Sequence, residues 1–156
     1  MFYTTVLIMH KKNSAKLRIL LIEDNPADQK LTLRAFAMGA QNTEIIFMND
    51  GLEALQYIED TLATHTNTLP DIILLDINMP RIDGKTFLKK IKENENTRSL
   101  PVIMLTTSDL ERDVKESYDL GANAYLNKPV SMGEFIELAK LIEDFWHKTS
   151  ILPYRS

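Results

Sequence analysis

The stretch "LPDIILLDINMPRIDG", residues 69–84, decides the fold. An almost unbroken apolar run ends on Asp76, and Asn78, Pro80 and Gly84 follow it. A continuous apolar run of this length is typical of a strand that a parallel sheet buries on both faces. Proline and glycine then mark a turn. The pattern therefore predicts a buried strand that delivers a carboxylate to its carboxyl end.

Short apolar runs alternate with longer amphipathic segments along the rest of the chain. The predicted strands cover residues 18–23, 44–48, 71–76, 101–107 and 124–128. The predicted helices cover residues 26–39, 51–62, 85–95, 110–121 and 132–148. Right-handed crossovers join such alternating elements into a parallel sheet that helices cover on both faces. The sequence therefore predicts an α/β fold with five parallel strands.

Two predicted helices show a clear apolar face. In the second helix the apolar face is expected to hold Leu52, Leu55, Ile58 and Leu62. In the last helix the residues expected to face the sheet are Phe135, Leu138, Ala139, Ile142 and Phe145. Leu141 and Trp146 lie partly off this stripe. Two interpretations stay open for Trp146: it packs under the N-terminal residues, or it forms a homodimer contact.

The composition argues against several classes of protein. The chain has 156 residues, of which 44% are hydrophobic and 26% charged, as expected of one globular domain. Its net charge of −4 argues against nucleic acid as the main partner. The absence of cysteine excludes disulfides and thiolate nucleophiles. No apolar run approaches the roughly 20 residues of a membrane helix. We therefore expect no nucleic acid or membrane partner, and a cytoplasmic location.

Two segments outside the predicted elements carry weaker expectations. The start, "MFYTTVLIMHKKNS", places apolar residues before basic ones, the opposite order to a secretory signal. Translation from Met9 would leave residues 1–8 outside the fold, and the intact mass of the native protein would test this. The polar connection at residues 61–70 predicts an exposed loop, in which His65 is a solvated residue rather than a ligand.

Polar residues end the predicted strands, where ligands of parallel α/β sheets bind. They are Glu23, Asp24, Asp76, Thr106, Thr107 and Lys128. Alone, each has an ordinary explanation: Asp24 can cap a helix, Asp76 can form a turn, Thr106 suits a strand and Lys128 suits the surface. Together, three carboxylates at one edge would repel each other by about 1 kcal/mol or more per pair.

A divalent cation would compensate for this repulsion. Mg²⁺ takes oxygen ligands and is held in proteins by one or two carboxylates plus a phosphate. Neither a GxGxxG nor a GxxxxGK[ST] phosphate loop occurs, which argues against a tightly bound nucleotide. A carboxylate beside a metal and a lysine can act as a nucleophile and form an aspartyl phosphate. The sequence therefore points to Mg²⁺-dependent phosphoryl chemistry at this edge.

Four segments resemble the receiver domain of two-component response regulators: "LLIEDN", "LLDINMPRIDG", "PVIMLTT" and "GANAYLNKP". The resemblance covers residues 17–147. It leaves residues 1–16 as an N-terminal extension and residues 148–156 as a C-terminal tail. It implies a doubly wound (βα)5, flavodoxin-like fold, a five-stranded parallel sheet in the order 2-1-3-4-5.

The resemblance also implies roles for the residues of the site. Asp76 would be the phosphoacceptor, Thr106 would hydrogen-bond the phosphoryl group and Lys128 would form an ion pair with it. The spacings agree with the family: 30 positions from Asp76 to Thr106 (106 − 76) and 22 from Thr106 to Lys128 (128 − 106). Tyr125 would be the switch aromatic that follows Thr106. The bond between Lys128 and Pro129 is expected to be cis, as in the family.

The implied metal ligands for Mg²⁺ are Glu23, Asp24, Asp76 and the main-chain carbonyl of Asn78. Glu23 stands where many members have aspartate, so its longer side chain leaves the direct ligand open. Asp24 is expected to bind directly and Glu23 through water. Asn78 and Ser108 lie two residues beyond the aspartate and the threonine, at positions that tune the phosphoryl lifetime in the family.

The function that the resemblance implies is that of a single-domain response regulator in a phosphorelay. A histidine kinase would pass a phosphoryl group from its phosphohistidine to Asp76, and the chain would catalyse its own Mg²⁺-dependent phosphorylation and dephosphorylation. Residues 61–70 and the segments "NDGLEAL", "SYDLGANAYLNKP" and "EFIELAKLIEDFW" most resemble regulators paired with phytochrome-type kinases. Ten residues follow Trp146, too few to fold alone. The expected outputs are a downstream protein target, a phosphotransfer protein, or a homodimer through the fourth helix, fifth strand and last helix.

Two other functions compete with this one. A phosphohydrolase of the haloacid dehalogenase type needs a second aspartate two residues after the first, and Asn78 stands there, unable to donate and regain a proton. A receiver-like module that binds a protein partner without phosphorylation stays open as the alternative. Acetyl phosphate with Mg²⁺, read by intact mass, would discriminate between the two.

Overall fold

The computed structural model describes residues 15–64 and 69–153. Its strands are β1 Leu17–Ile22, β2 Thr43–Met48, β3 Ile72–Leu75, β4 Val102–Thr106 and β5 Ala124–Asn127. Its helices are α1 Pro26–Gly39, α2 Gly51–Thr64, α3 Gly84–Glu93, α4 Glu111–Asp119 and α5 Met132–Glu143, followed by a π-helix at Asp144–Thr149. The strands pair in parallel in the order β2-β1-β3-β4-β5. The predicted α/β fold, with its strand order 2-1-3-4-5, is confirmed.

The central strands are buried because helices cover both faces of the sheet. Every residue of β3 and β4 is buried, in agreement with their continuous apolar sequences. One core cluster joins the sheet to α2 and α3 through Ile58 and Phe87. A second cluster joins the opposite face to α1 and α5 through Phe36 and Phe135. The polar residues Glu23, Asp24, Asp76 and Lys128 follow the strands directly and belong to neither cluster.

Side-chain caps fix where the helices begin beside those strand ends. The Asn25 side chain accepts hydrogen bonds from the backbone N–H groups of Ala27 and Asp28 at 2.9 and 3.1 Å. Pro26 then occupies the first turn of α1, where its missing N–H costs nothing. Asp83 caps α3 in the same way, accepting from the N–H of Thr86 at 2.8 Å. These caps hold the loops after β1 and β3 in place.

The predicted buried face of α2 is wrong at one position. Leu52 is 41% exposed, whereas Ala54, Ile58 and Thr61 are buried. Small residues on the inner side let the helix approach the sheet closely, so α2 is rotated toward Ala54. Leu55 and Leu62 are half-buried against the core at the flank of that face. The prediction relied on the large apolar residues, and it therefore placed the centre of the buried face of α2 too close to Leu52.

The end of the last helix also differs from the prediction. Phe145, expected to face the sheet, is 54% exposed, while Trp146 is half-buried against the second core cluster. The chain winds as a π-helix here, and the N–H of Ser150 bonds the carbonyl of Phe145, five residues back, at 2.8 Å. The wider turn carries Phe145 outward and turns His147 inward, where its Nε2 lies 2.5 Å from the Ala15 carbonyl. Leu141 is exposed, as expected.

Several expectations stay untested by the fold. Met9 and His65 lie outside the described residues. The division into residues 1–16, 17–147 and 148–156 remains a prediction. Within residues 15–64 and 69–153, no helix is long and apolar enough to cross a membrane.

Candidate functional site

The end of β3 places Asp76 at the edge of the sheet. Its backbone N–H bonds the carbonyl of Ile22 in β1 at 3.3 Å, and its Oδ1 accepts the N–H of Ile77 at 2.8 Å. Gly84 packs against the Asp76 carbonyl so closely that a Cβ there would collide with it. The N–H of Gly84 also bonds the Ile77 carbonyl at 2.8 Å. Gly84 thereby closes the loop that turns the largely buried Asp76 carboxylate toward the carboxyl edge of the sheet.

The end of β1 brings two more acids to the same place. Glu23 is buried, and its Oε1 accepts the backbone N–H of Asn25 at 3.1 Å. Gln29, in α1, donates a hydrogen bond from its side-chain Nε2 to the Glu23 carbonyl at 2.5 Å. Asp24 is more open to solvent. One carboxylate oxygen each from Glu23, Asp24 and Asp76 lies within 4.8 Å of the others. The structure brings together the three acids that the sequence predicted would meet.

Lys128, just beyond β5, reaches into this cluster. Its Nζ lies 2.6 Å from Glu23 Oε2, 3.1 Å from Asp76 Oδ2 and 2.8 Å from Asp28 Oδ2. The Lys128 side chain is 8% exposed, so these contacts are largely shielded from water. Asp28 was missed by the sequence reasoning, which considered the residues that end the strands. A signal was present, because Asp28 lies in the first turn of the helix that directly follows Glu23 and Asp24.

The charges of the cluster shift the pKa values of its members. Burial alone would lower the pKa of Lys128, but hydrogen bonds to Asp28 and Glu23 and the charge of Asp76 outweigh it and raise the pKa above its usual range. Burial raises the pKa of Glu23, although the hydrogen bond and charge of Lys128 oppose the rise. Lys128 is therefore charged at neutral pH, and its single ammonium faces three carboxyl groups.

This donor set fits a divalent cation such as Mg²⁺. Such ions prefer carboxylate and carbonyl oxygens, and Mg²⁺ also keeps several waters. Glu23 and Asp76 offer buried carboxyl oxygens, while the partly open Asp24 leaves room for waters. Asn78 is exposed in the loop that follows Asp76.

Thr106 and Tyr125 lie beside the acidic cluster, on β4 and β5. Thr106 is fully buried, and its hydroxyl accepts a hydrogen bond from the backbone N–H of Ser108 at 3.3 Å. The backbone carbonyl of Thr106 accepts the N–H of Lys128 at 2.9 Å. The Tyr125 hydroxyl donates to the Ser108 carbonyl at 2.8 Å. Burial raises the pKa of Tyr125, so its hydroxyl is a neutral donor. Ser108 therefore connects Thr106 to the ring of Tyr125.

A second group of charged residues, which the sequence analysis did not predict, forms hydrogen bonds to the loop that contains Ser108. The Ser108 hydroxyl donates to Asp113 Oδ2 at 2.5 Å. Lys85 donates to Asp113 Oδ1 at 2.5 Å and to Glu116 at 2.6 Å. These hydrogen bonds from Lys85 and Ser108 hold the pKa of Asp113 below its usual value, and the two acids raise the pKa of Lys85. The group ties α3, which follows Asp76, to α4 and the Ser108 loop.

One sequence expectation about the backbone is wrong. No peptide bond in residues 15–64 and 69–153 is cis, so the bond between Lys128 and Pro129 is trans. An X–Pro bond prefers trans by about 0.5–1 kcal/mol, and Lys128 reaches its three carboxylates without the cis form.

Arg81, in the loop after Asp76, has a φ of 65° and forms an ion pair with Asp50 at the start of α2.

The fold and this arrangement of acids, lysine and threonine define the class of protein. Residues 19–140 match the response regulator receiver domain, and the chain belongs to that family. Proteins of this class serve phosphorelay signalling.

Among its relatives, the chain is 37% identical over 135 residues to the response regulator Rcp1 of Synechocystis, covering 86% of this chain and 92% of that protein.

Solved structures agree with this assignment. The phosphorylated cyanobacterial phytochrome response regulator RcpA has a TM-score of 0.80 and 37% identity, covering 89% of this chain and 99% of that one. The Mn²⁺-bound form of Rcp1 has a TM-score of 0.76 and 37% identity, covering 87% of this chain and 98% of that one. The chain is thus similar to phytochrome response regulators over almost their entire length.

Proposed function

We propose that Asp76 accepts the phosphoryl group in this receiver and that a phytochrome-type histidine kinase supplies it. One observation carries the proposal: a largely buried aspartate lies 3.1 Å from a buried lysine and within 4.8 Å of two further acids. An Asp76 carboxylate oxygen forms the new P–O bond. The N–P bond of the partner's phosphohistidine breaks, and the imidazole keeps the electron pair. Similarity to regulators of phytochrome signalling supports this kind of donor.

The metal that best fits the site is Mg²⁺. Glu23, Asp24, Asp76 and the main-chain carbonyl of Asn78 would hold it, and it would offset charge on the phosphoryl oxygens. Lys128 adds a second positive charge 3.1 Å from the Asp76 carboxylate. The Mn²⁺-bound form of Rcp1 supports a divalent ion in this class of site.

Phosphorylation would be read out through Thr106 and Tyr125. The new phosphoryl group adds acceptor oxygens to which the Thr106 hydroxyl can donate. Because that hydroxyl also accepts the Ser108 N–H, its movement toward Asp76 would pull on the Ser108 loop. Because Tyr125 is bonded to the same Ser108 residue, a shift of that loop changes the ring's surroundings. The surface affected is α4-β5-α5, where Leu110 before α4 and Tyr118 are exposed. This surface would bind a downstream protein target, a phosphotransfer protein or a second copy of the chain in the cytoplasm, with no nucleic acid or membrane partner.

The test is incubation with acetyl phosphate and Mg²⁺, followed by intact mass measurement. The wild-type chain is expected to gain one phosphoryl group, and Asp76→Asn is expected to gain none. Omitting Mg²⁺ or substituting Lys128→Met should slow the gain. No gain in the wild type, or an equal gain in Asp76→Asn, would leave the phosphorylation-independent binding module as the better account.

A further inference from the structure

Asp28 occupies a contact that the proposed phosphoryl transfer does not explain. A lysine ammonium has three N–H donors, and the Lys128 ammonium has three carboxylate partners. Glu23 and Asp76 belong to the acidic cluster at the strand ends. Asp28 comes from the first turn of α1, and its carboxylate Oδ2 lies 2.8 Å from the Lys128 Nζ.

The Asp28 contact is the one most open to water. The Asp28 side chain is 31% exposed, compared with 3% for Glu23 and 9% for Asp76. Its backbone is fixed independently of the carboxylate, because the Asn25 side chain accepts its N–H and the Thr32 hydroxyl donates to its carbonyl. Releasing the carboxylate of Asp28 therefore disturbs neither the helix cap nor the core.

A phosphoryl group on Asp76 brings three acceptor oxygens next to Lys128, whose three donors are all engaged with carboxylates. The donor that now contacts Asp76 can pass directly to the phosphoryl group. A second donor can follow only if the ammonium leaves Glu23 or Asp28. Water cannot easily replace the lysine at Glu23, whose side chain is buried, whereas the more open Asp28 can exchange the lysine for water. From this geometry we infer that Asp28 is a positioning residue, the resting-state counter-ion that Lys128 leaves when Asp76 is phosphorylated. The inference rests on the proposed role of Asp76.

The competition has a direction. In the resting protein Asp28 stabilises Lys128 in its present position, and this stabilisation is lost when the phosphoryl group forms. Asp28 also adds negative charge beside a site that must receive an anion. Replacing the carboxylate by an amide removes both effects, so Asp28→Asn should phosphorylate faster than the wild type.

A purely structural role predicts something else. An acid in the first turn stabilises a helix by interacting with the helix dipole. Its loss would lower the free energy of unfolding without speeding phosphorylation. Glu53 offers the matched control, because it lies in the first turn of α2 and accepts the backbone N–H of Asn49 at 2.7 Å. Glu53→Gln removes one negative charge and one helix-terminal acid without touching Lys128.

The experiment measures initial rates of phosphorylation by acetyl phosphate at saturating Mg²⁺, by intact mass. Asp28→Asn is expected to be about five-fold faster than wild type, the size of one partly exposed ion pair. Asp28→Glu, which can restore the pair, and Glu53→Gln should stay within about two-fold of wild type. In the metal-free protein, the side-chain ammonium signal of Lys128 in NMR should shift in Asp28→Asn and not in Glu53→Gln.

The outcomes separate the two claims. A wild-type chain that is never phosphorylated at Asp76 refutes the proposed function. A wild-type chain that is phosphorylated normally, with Asp28→Asn equally fast or slower, refutes the role of Asp28 alone. Equal acceleration in Glu53→Gln would assign the effect to net charge and would also overturn the inference.

Discussion

Replacing Gly84 by alanine tests whether the loop after β3 depends on a close backbone contact. A Cβ at residue 84 would meet the carbonyl oxygen of Asp76 and would lie 2.8 Å from the Cα of Ile77. Both are backbone atoms of the loop, so no flexible side chain can move aside. Either the start of α3 or the Asp76 peptide must shift.

The cost follows from two terms. Forced overpacking of a well-packed region costs about 1–3 kcal/mol. The shift also weakens the hydrogen bond from the Gly84 N–H to the Ile77 carbonyl, now 2.8 Å, which contributes about 1 kcal/mol. We therefore expect Gly84→Ala to lower the free energy of unfolding by about 3 kcal/mol and to slow phosphorylation of Asp76, whose carboxylate moves.

The assay is urea unfolding followed by circular dichroism, with Gly133→Ala as the control. Gly133 lies in the first turn of α5, and no atom from elsewhere in the described fold lies within 4 Å of its added Cβ, so alanine there should be neutral or stabilise by roughly 0.5 kcal/mol. If Gly84→Ala unfolds within about 0.5 kcal/mol of the wild type, as an unconstrained surface position would, the close-contact argument is refuted.

Three further predictions concern charge, packing and the metal. Because Lys85 and Ser108 lower the pKa of Asp113, its carboxylate stabilises the fold above its unfolded pKa of about 3.9, and this is lost as the pH falls through the folded pKa. Asp113→Asn should thus cost about 1 kcal/mol in urea unfolding at pH 7 and progressively less as the pH falls below about 3.9; a cost that stays constant would contradict this. Ile58→Ala should cost about 2–4 kcal/mol in the same assay and Leu52→Ala under 1, and the reverse order would contradict the observed face of α2. Mg²⁺ at ten times its dissociation constant should stabilise the wild type by about 1.4 kcal/mol in calorimetry, and Asp24→Asn should lose this gain; an unchanged gain would remove Asp24 from the metal site.

The sequence predicted the architecture well because strands and helices leave periodic signals. The continuous apolar run before Asp76 indicated a strand buried on both faces, and the whole of β3 is buried. The convergence of Glu23, Asp24, Asp76 and Lys128 followed from topology alone, since parallel strands end at one edge. What the pattern could not show was rotation within an element. Leu52 is exposed because small residues set the inner face of α2.

Side-chain partners between elements were harder still to predict. Asp28 and Lys128 are 100 positions apart in the sequence. Thr43 and Glu143 are equally far apart, and the Thr43 hydroxyl donates a hydrogen bond to the Glu143 carboxylate at 2.6 Å. Such pairs depend on side-chain reach across the packed fold, which has no period in the sequence. Phe145 was misplaced for a related reason, because a π-helical turn leaves no signal in an apolar stripe.

The hydrogen bonds also suggest how an event at Asp76 would spread. The Lys128 N–H bonds the Thr106 carbonyl at 2.9 Å, so the lysine backbone moves with the end of β4. Two residues later, the Ser108 carbonyl holds the Tyr125 hydroxyl and its side chain holds Asp113. A pull on Thr106 toward Asp76 would therefore strain contacts to both α4 and β5. Because Lys85 anchors Asp113 from α3, the segment that follows Asp76 would resist that movement. The balance between the pull on Thr106 and the hold on Asp113 would then set how far the outer surface responds, since a ligand shifts an equilibrium only by its differential interaction with the two states.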